Sequence, residues 1–163
     1  MNNKKGISAI VATVLIILIT VAAVTIIWAA IIPMISNQLE SGTICLDAVS
    51  AVQLKDEGYT CYSTTNNSYK GFTDYNVTFQ VGRTAKDFDL NALQVLISVG
   101  GDTSTQTYTL SDGELGPNSA GVFVVNGSNY NEATKIQIAP IVGVGVSENI
   151  CDISATKTLT ECP

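Results

Sequence analysis

The chain has 163 residues, enough for one folded domain with an appended helix. It carries 8 basic and 14 acidic residues and no histidine, and the basic residues beyond Lys5 (Lys55, Lys70, Arg83, Lys86, Lys135, Lys157) are scattered. That distribution excludes nucleic-acid binding, which needs clustered Lys and Arg, and the missing histidine excludes Ser–His and Cys–His catalysis.

The N-terminal segment Met1–Gly6 is short, basic and polar, and after Lys5 the next charged residue is Glu40. The uncharged run from Ile7 to Ile35 is interrupted only by Ser8, Thr13, Thr20, Thr25 and Pro33. A membrane-spanning helix needs about 20 apolar residues, whereas the apolar region of a secretory signal peptide has about 7–15. The run from Ile7 to Ile35 exceeds both lengths and therefore predicts a helix that crosses a bilayer. Its apolar residues lie all around the circumference, so the helix must be buried in lipid or among other helices. Pro33 removes a backbone donor and is expected to loosen the helix near Ala29–Ile32. The positive-inside rule leaves Lys4 and Lys5 in the cytoplasm and everything from about Asn37 onward outside.

The run Lys4-Lys5-Gly6-Ile7-Ser8-Ala9-Ile10-Val11-Ala12-Thr13-Val14-Leu15 resembles an archaeal class III signal peptide leading into the N-terminal segment of a type IV pilin or archaellin. The resemblance covers residues 4 to 35. It implies that a prepilin peptidase cuts between Gly6 and Ile7 and leaves the hydrophobic helix on the mature chain. It further implies a filament core made of packed helices, extraction by a pilus assembly machinery, and a precursor that is a single-pass membrane protein. Lys4, Lys5, Gly6 and Ile7 are the processing residues by this likeness. Bacterial pilins place a glutamate at the fifth mature position, where this chain has Val11. The chain follows the archaeal pattern there.

From Ser36 to Gly42 the sequence becomes polar, and Gly42 is the expected helix stop. The expected organisation is thus a leader over residues 1–6, a hydrophobic helix over 7–40 and an extracellular β-rich domain over 41–163. Tyr75–Val81 alternates apolar and polar residues in the manner of a half-buried strand. Ile136, Ile138, Val142, Val144 and Val146 repeat the alternation, with Pro140, Gly143 and Gly145 suggesting an edge, bend or bulge. Further strands are expected at Ile44–Leu54, Gln94–Val99, Thr105–Leu110, Gly121–Val125 and Ile150–Ile153. Turn signals separate them at Gly100-Gly101-Asp102, Ser111-Asp112-Gly113, Gly116-Pro117-Asn118 and Asn126-Gly127-Ser128. Residues 56–74, rich in Thr, Ser, Asn, Tyr and Gly, are expected to form a long loop. The fold class is therefore α+β: a long hydrophobic helix, then an antiparallel β-sandwich-like domain.

The cysteines Cys45, Cys61, Cys151 and Cys162 all follow the hydrophobic run. An even count in an exported domain, without CxxC pairs or histidine, favours two disulfides over a zinc site. Three connectivities are possible, and proximity in sequence favours Cys45–Cys61 with Cys151–Cys162. Asn66, Asn76 and Asn126 begin Asn-x-Ser/Thr sequons and are candidates for N-glycosylation. Asn-Gly at 126–127 is equally good turn chemistry.

No phosphate-binding glycine loop or metal-ligand pattern is present. Asp87 and Asp89 could ligate calcium together with loop carbonyls, but read better as exposed acids at a strand start. No cofactor is expected and the chain is not expected to be an enzyme. Two functions remain: a subunit of an archaeal type IV pilus-like surface filament used in adhesion or motility, or a membrane-anchored extracellular binding domain that does not polymerise.

Overall fold

A computed structural model describes residues 4–55, 58–64, 67–69, 72–111, 113–144 and 147–163. It contains one long helix, α1 (Lys4–Ala51), and two sheets in which antiparallel pairing predominates. The fold is α+β, as the sequence suggests. The chain divides into two compact units between Glu40 and Ser41.

In the first unit α1 is built almost wholly of apolar residues, with no glycine between Gly6 and Gly42. The hydroxyls of Thr13, Thr20 and Thr25 donate to the carbonyls of Ile10, Ile17 and Ala22, each at 2.9 Å. The helix thus satisfies these three donors itself, without water or a neighbour. The helix continues through Pro33.

It also continues through Gly42 to Ala51, which corrects the expected stop there and most of the expected strand over Ile44–Leu54, of which only Val52–Leu54 is extended. A glycine inside a helix costs about 1 kcal/mol relative to alanine. The following turns offset this by packing, since Ala48 is fully buried with Val142 and Cys151, and Ile44, Cys45 and Val49 pack on the same cluster. The buried positions recur at helical spacing, and Leu46, which a strand would place on the same face as Ala48, is 74% exposed.

The first sheet contains β1 (Val52–Leu54), β2 (Cys61–Tyr62), β3 (Asn67–Tyr69), β4 (Phe72–Arg83), β7 (Ala120–Gly127) and β11 (Thr160–Glu161). The long strand β4 organises it. Strand β7 pairs along one side of β4, while β1, β2 and β3 pair with it on short stretches. Among the described residues the one parallel pair is β2 with β11. The second sheet contains β5 (Leu90–Val99), β6 (Asp102–Thr109), β8 (Ala133–Val144), β9 (Ser147–Ile150) and β10 (Ala155–Thr158). Strand β8 lies between β5 on one side and β10 and β9 in succession on the other. Val146, expected to extend its alternation, and Gly145, expected to mark an edge, bend or bulge, lie outside the described residues.

Inward residues of the two sheets form one core. Val77, Phe79 and Val81 of β4 and Phe123 and Val125 of β7 join Leu93, Val95 and Ile97 of β5 and Ile136 and Ile138 of β8. The alternation at 75–81 thus follows the pleat. Phe123 lies 5.7 Å from Phe79 and 5.0 Å from Tyr108 between ring centroids, the latter pair in a T-shaped arrangement. Gly100 and Gly101, with φ of 56° and 103°, close a two-residue hairpin between β5 and β6 that needs positive φ at both positions.

Three further expectations are corrected. Of the edge, bend or bulge suggested near Pro140 and Gly143, the outer edge is not seen, since Pro140 is buried inside β8 opposite Leu93. The register does shift, as at a bulge, between Leu90 and Ala92, opposite Val142 and Ile141. The carbonyl of Pro140 accepts from the Cys151 amide at 2.9 Å, so the side on which this residue lacks a donor faces the gap where β10 ends and β9 has yet to begin. Residues 56–74 are not wholly a loop, since β2, β3 and the start of β4 lie among them. The strand expected at Ile150–Ile153 is β9, which ends at Ile150, and residues 151–154 take no regular structure.

Candidate functional site

Every residue from Ala9 to Ser36 is exposed. Ile10 (66%), Leu18 (60%), Ile26 (68%) and Ile16 (62%) point in different directions around the helix, so the exposed apolar surface runs around its whole circumference. Removing one large apolar side chain from water yields about 1.5–3 kcal/mol. A helix exposing so many of them forfeits tens of kcal/mol in water, so the surface belongs in lipid or against other apolar helices. Among the described residues this is the one helix long and apolar enough to cross a membrane. Lys4, Lys5, Gly6 and Ile7 lie in its first turns.

Two side-chain contacts of different strength fasten the last turns of α1 to the segments that follow β9 and join β4 to β5. Cys45 is bonded to Cys151, just beyond β9. Lys86 donates to the Asp47 carboxylate and to the Ser50 hydroxyl. Both charged side chains are about half exposed, so the ion pair contributes about 0–1 kcal/mol. The second bridge is Cys61–Cys162, which ties β2 to the segment after β11. Both pairings correct the expectation of nearest neighbours. Proximity in sequence failed because the strand order brings 151 beside the helix and lays β11 along β2. The two loops interlock, since Cys61 lies between Cys45 and Cys151 while Cys162 lies outside.

A polar cleft of about 630 Å³ opens beside the segment joining β4 to β5. Arg83, Asp87, Phe88, Asp89, Asn91 and Glu148 are among its lining residues. Arg83 is 8% exposed, and it continues the inward alternation Tyr75, Val77, Phe79, Val81. Its guanidinium donates to the carbonyls of Leu115 (3.1 Å), Lys86 (3.3 Å) and Phe88, and stacks 4.2 Å above the Phe88 ring. Burial lowers its pKa from the ordinary arginine value, and the charges of Asp87 and Asp89 act in the opposite direction. The group stays protonated. Asp87 and Asp89, singled out from the sequence, are exposed and serve as its counter-charges. Asn91 donates to Glu148 at 3.0 Å, closing one wall. Among the described residues no group of three His, Cys, Asp or Glu side chains could hold a metal ion. The alternation that predicts β4 reaches Arg83 if extended by one step. That was the available signal for this buried charge.

Of the sequon asparagines, Asn66 lies outside the described residues. Asn76 is half-buried in β4, and Asn126 is exposed near the end of β7. The two are direct cross-strand partners on the outer face of the first sheet.

No family model matches the chain, and no curated protein matches it.

Proposed function

We propose that this chain is a structural subunit of an archaeal type IV pilus-like surface filament acting in adhesion or motility. The observation that carries the proposal is the uncovered apolar surface of α1 from Ala9 to Ile35, attached to a disulfide-bonded β domain. A lipid bilayer satisfies such a helix in the precursor, and the packed helices of a polymer satisfy it afterwards. Ala12, Ala22, Ala23, Ala29 and Ala30 permit close approach between helices. The two bridges agree with a domain that matures outside the reducing cytoplasm. On this reading a prepilin peptidase cuts between Gly6 and Ile7, the assembly machinery extracts the mature chain, and copies of the chain are its main partners. The cleft beside Arg83 plays no catalytic part.

The cleft favours one second reading, a membrane-anchored binding domain that does not polymerise, because its carboxylates and Asn91 could accept a polyhydroxylated ligand. Intact mass and N-terminal sequencing of the protein from its host surface, with electron microscopy of sheared surface material, separate the two. A chain beginning Ile-Ser-Ala-Ile-Val in filaments is expected. An uncleaved leader on a chain found only in membranes would refute the filament reading. A chain beginning near Ser36 would refute both.

A further inference from the structure

Strand β7 pairs only with β4 among the described residues, so its other side is an open sheet edge. The Arg83 amide donates to the Ser119 carbonyl at 2.8 Å, which fixes the sense of the ladder. In an antiparallel pair successive residues direct their amide and carbonyl to opposite sides. Gly121, Phe123 and Val125 therefore face β4, and Ala120, Val122, Val124 and Asn126 face outward. The Asn126 carbonyl is already taken, by the Gln106 side chain at 2.8 Å. Three outward residues are left, Ala120, Val122 and Val124, and Val122 and Val124 are 48% and 46% exposed on the outer face.

Natural edges are blunted by charges, prolines, bulges or brevity. The other marginal strands here follow that rule: β6 carries Asp102, β9 carries Glu148, β10 carries Lys157, β11 carries Glu161, and β1 and β3 have three residues each. Strand β7 has eight residues, no proline, no charge and an unbroken register with β4. No charged residue occurs between Glu114 and Glu132. In a chain of net charge −6, this flank is where a second copy can approach without like-charge repulsion.

We infer that β7 is a docking edge for β7 of a second copy, paired antiparallel about a two-fold axis at Val122. The pattern is self-complementary in that register. Val122 meets its own counterpart, Ala120 meets Val124 and Val124 meets Ala120, and each pair exchanges two backbone hydrogen bonds. The valine side chains form one apolar strip across the joint. The register is bounded at one end by the turn at Asn118 (φ 56°) and at the other by the Gln106 cap. An isologous contact cannot repeat between subunits of a filament that all point one way. It joins subunits of two assemblies running in opposite directions, or two anchored chains. The inference stands independently of filament assembly.

The test uses the full chain, purified in detergent and also in host membranes, with Val122→Cys and a short bismaleimide. Thr156→Cys on β10 serves as the control. The expected result is a dimer linked between the two introduced thiols, well above the control. A second change, Val124→Lys, should abolish the link while circular dichroism and both native disulfides remain unchanged, because that side chain points to solvent. Linking no greater than the control would overturn the inference. So would a link from position 122 to β6 of another copy, a link only to a different protein, or a link that survives Val124→Lys in a folded chain.

Discussion

Deleting the two disulfides one at a time and then together gives a result that two separate loops do not produce. A single bridge closing the 106 residues between Cys45 and Cys151 would restrict the unfolded chain by about 4.8 kcal/mol. With Cys61–Cys162 intact, however, the unfolded chain already has a shorter covalent route. It runs along the backbone from Cys45 to Cys61, crosses the bridge, and returns along the backbone from Cys162 to Cys151. A loop of about 27 residues corresponds to about 3.5 kcal/mol. The same route governs removal of Cys61–Cys162 while Cys45–Cys151 remains. The first deletion, whichever bridge it removes, should therefore cost about 3.5 kcal/mol and the second about 4.8 kcal/mol. Urea unfolding of the Cys45→Ala/Cys151→Ala, Cys61→Ala/Cys162→Ala and fourfold variants in non-ionic detergent measures this, followed by tyrosine near-ultraviolet circular dichroism. Independent loops would give additive steps, and the short loops of nearest-neighbour pairing would give about 3 kcal/mol each. Equal first and second steps would refute the crossed connectivity.

Three other perturbations test separate parts of the structure. Gly42→Ala should stabilise the chain by about 0.5–1 kcal/mol, because the helix continues through it and nothing lies within 4 Å of an added Cβ; destabilisation in the same urea titration would mean a helix end at Gly42. Arg83→Met should destabilise the domain by about 1–3 kcal/mol, chiefly because it strands the buried Leu115 carbonyl while those of Lys86 and Phe88 are only partly buried, and unchanged stability would refute the dependence of that carbonyl on Arg83. Tyr108 donates to Glu114 at 3.0 Å, and that bond, with burial and the carboxylate charge, raises its pKa above the usual tyrosine range. The neutral phenol is the favoured form, so this contribution is complete below the ordinary tyrosine pKa and disappears as pH rises through the raised one. Glu114→Ala should bring the Tyr108 titration down toward the ordinary value by ring-carbon NMR, and an unmoved titration would show that Glu114 is not the cause.

The sequence made the two strongest periodicities plain. The uncharged run from Ile7 to Ile35 forms one long apolar helix, exposed from Ala9 onward, and the alternation at Tyr75–Val81 places Val77, Phe79 and Val81 in the core. Local reading failed where the deciding contact was distant. Ile44–Leu54 supports a helix and a strand pattern equally, and only the cluster of Ala48 with Val142 and Cys151 selects the helix. Strands β2 and β11, two residues each, have no local signature, since their pairing and the Cys61–Cys162 bridge fix each other. Pro140 misled because its environment depends on where β10 stops and β9 starts, which the residues around it do not encode. The cleft beside Arg83 was half legible: Asp87 and Asp89 stood out, while the buried cation that they accompany did not.

The crossed bridges also determine how the domain would respond to mechanical tension. A pull entering at Cys45 and resisted at Cys162 follows the shortest covalent path. That path crosses to Cys151 and then takes the segment 151–162, which extends at most about 36–40 Å. The alternative route runs from Cys45 through β1 to Cys61 and across the other bridge. The last turns of α1 with β1, β10 and β11 lie within these two paths. Residues 62–150, with β4, β5, β7 and β8, form a slack side loop that the force does not enter. Stretching could strip the marginal strands from the sheets, but it could not unspool the sandwich until a sulfur–sulfur bond broke.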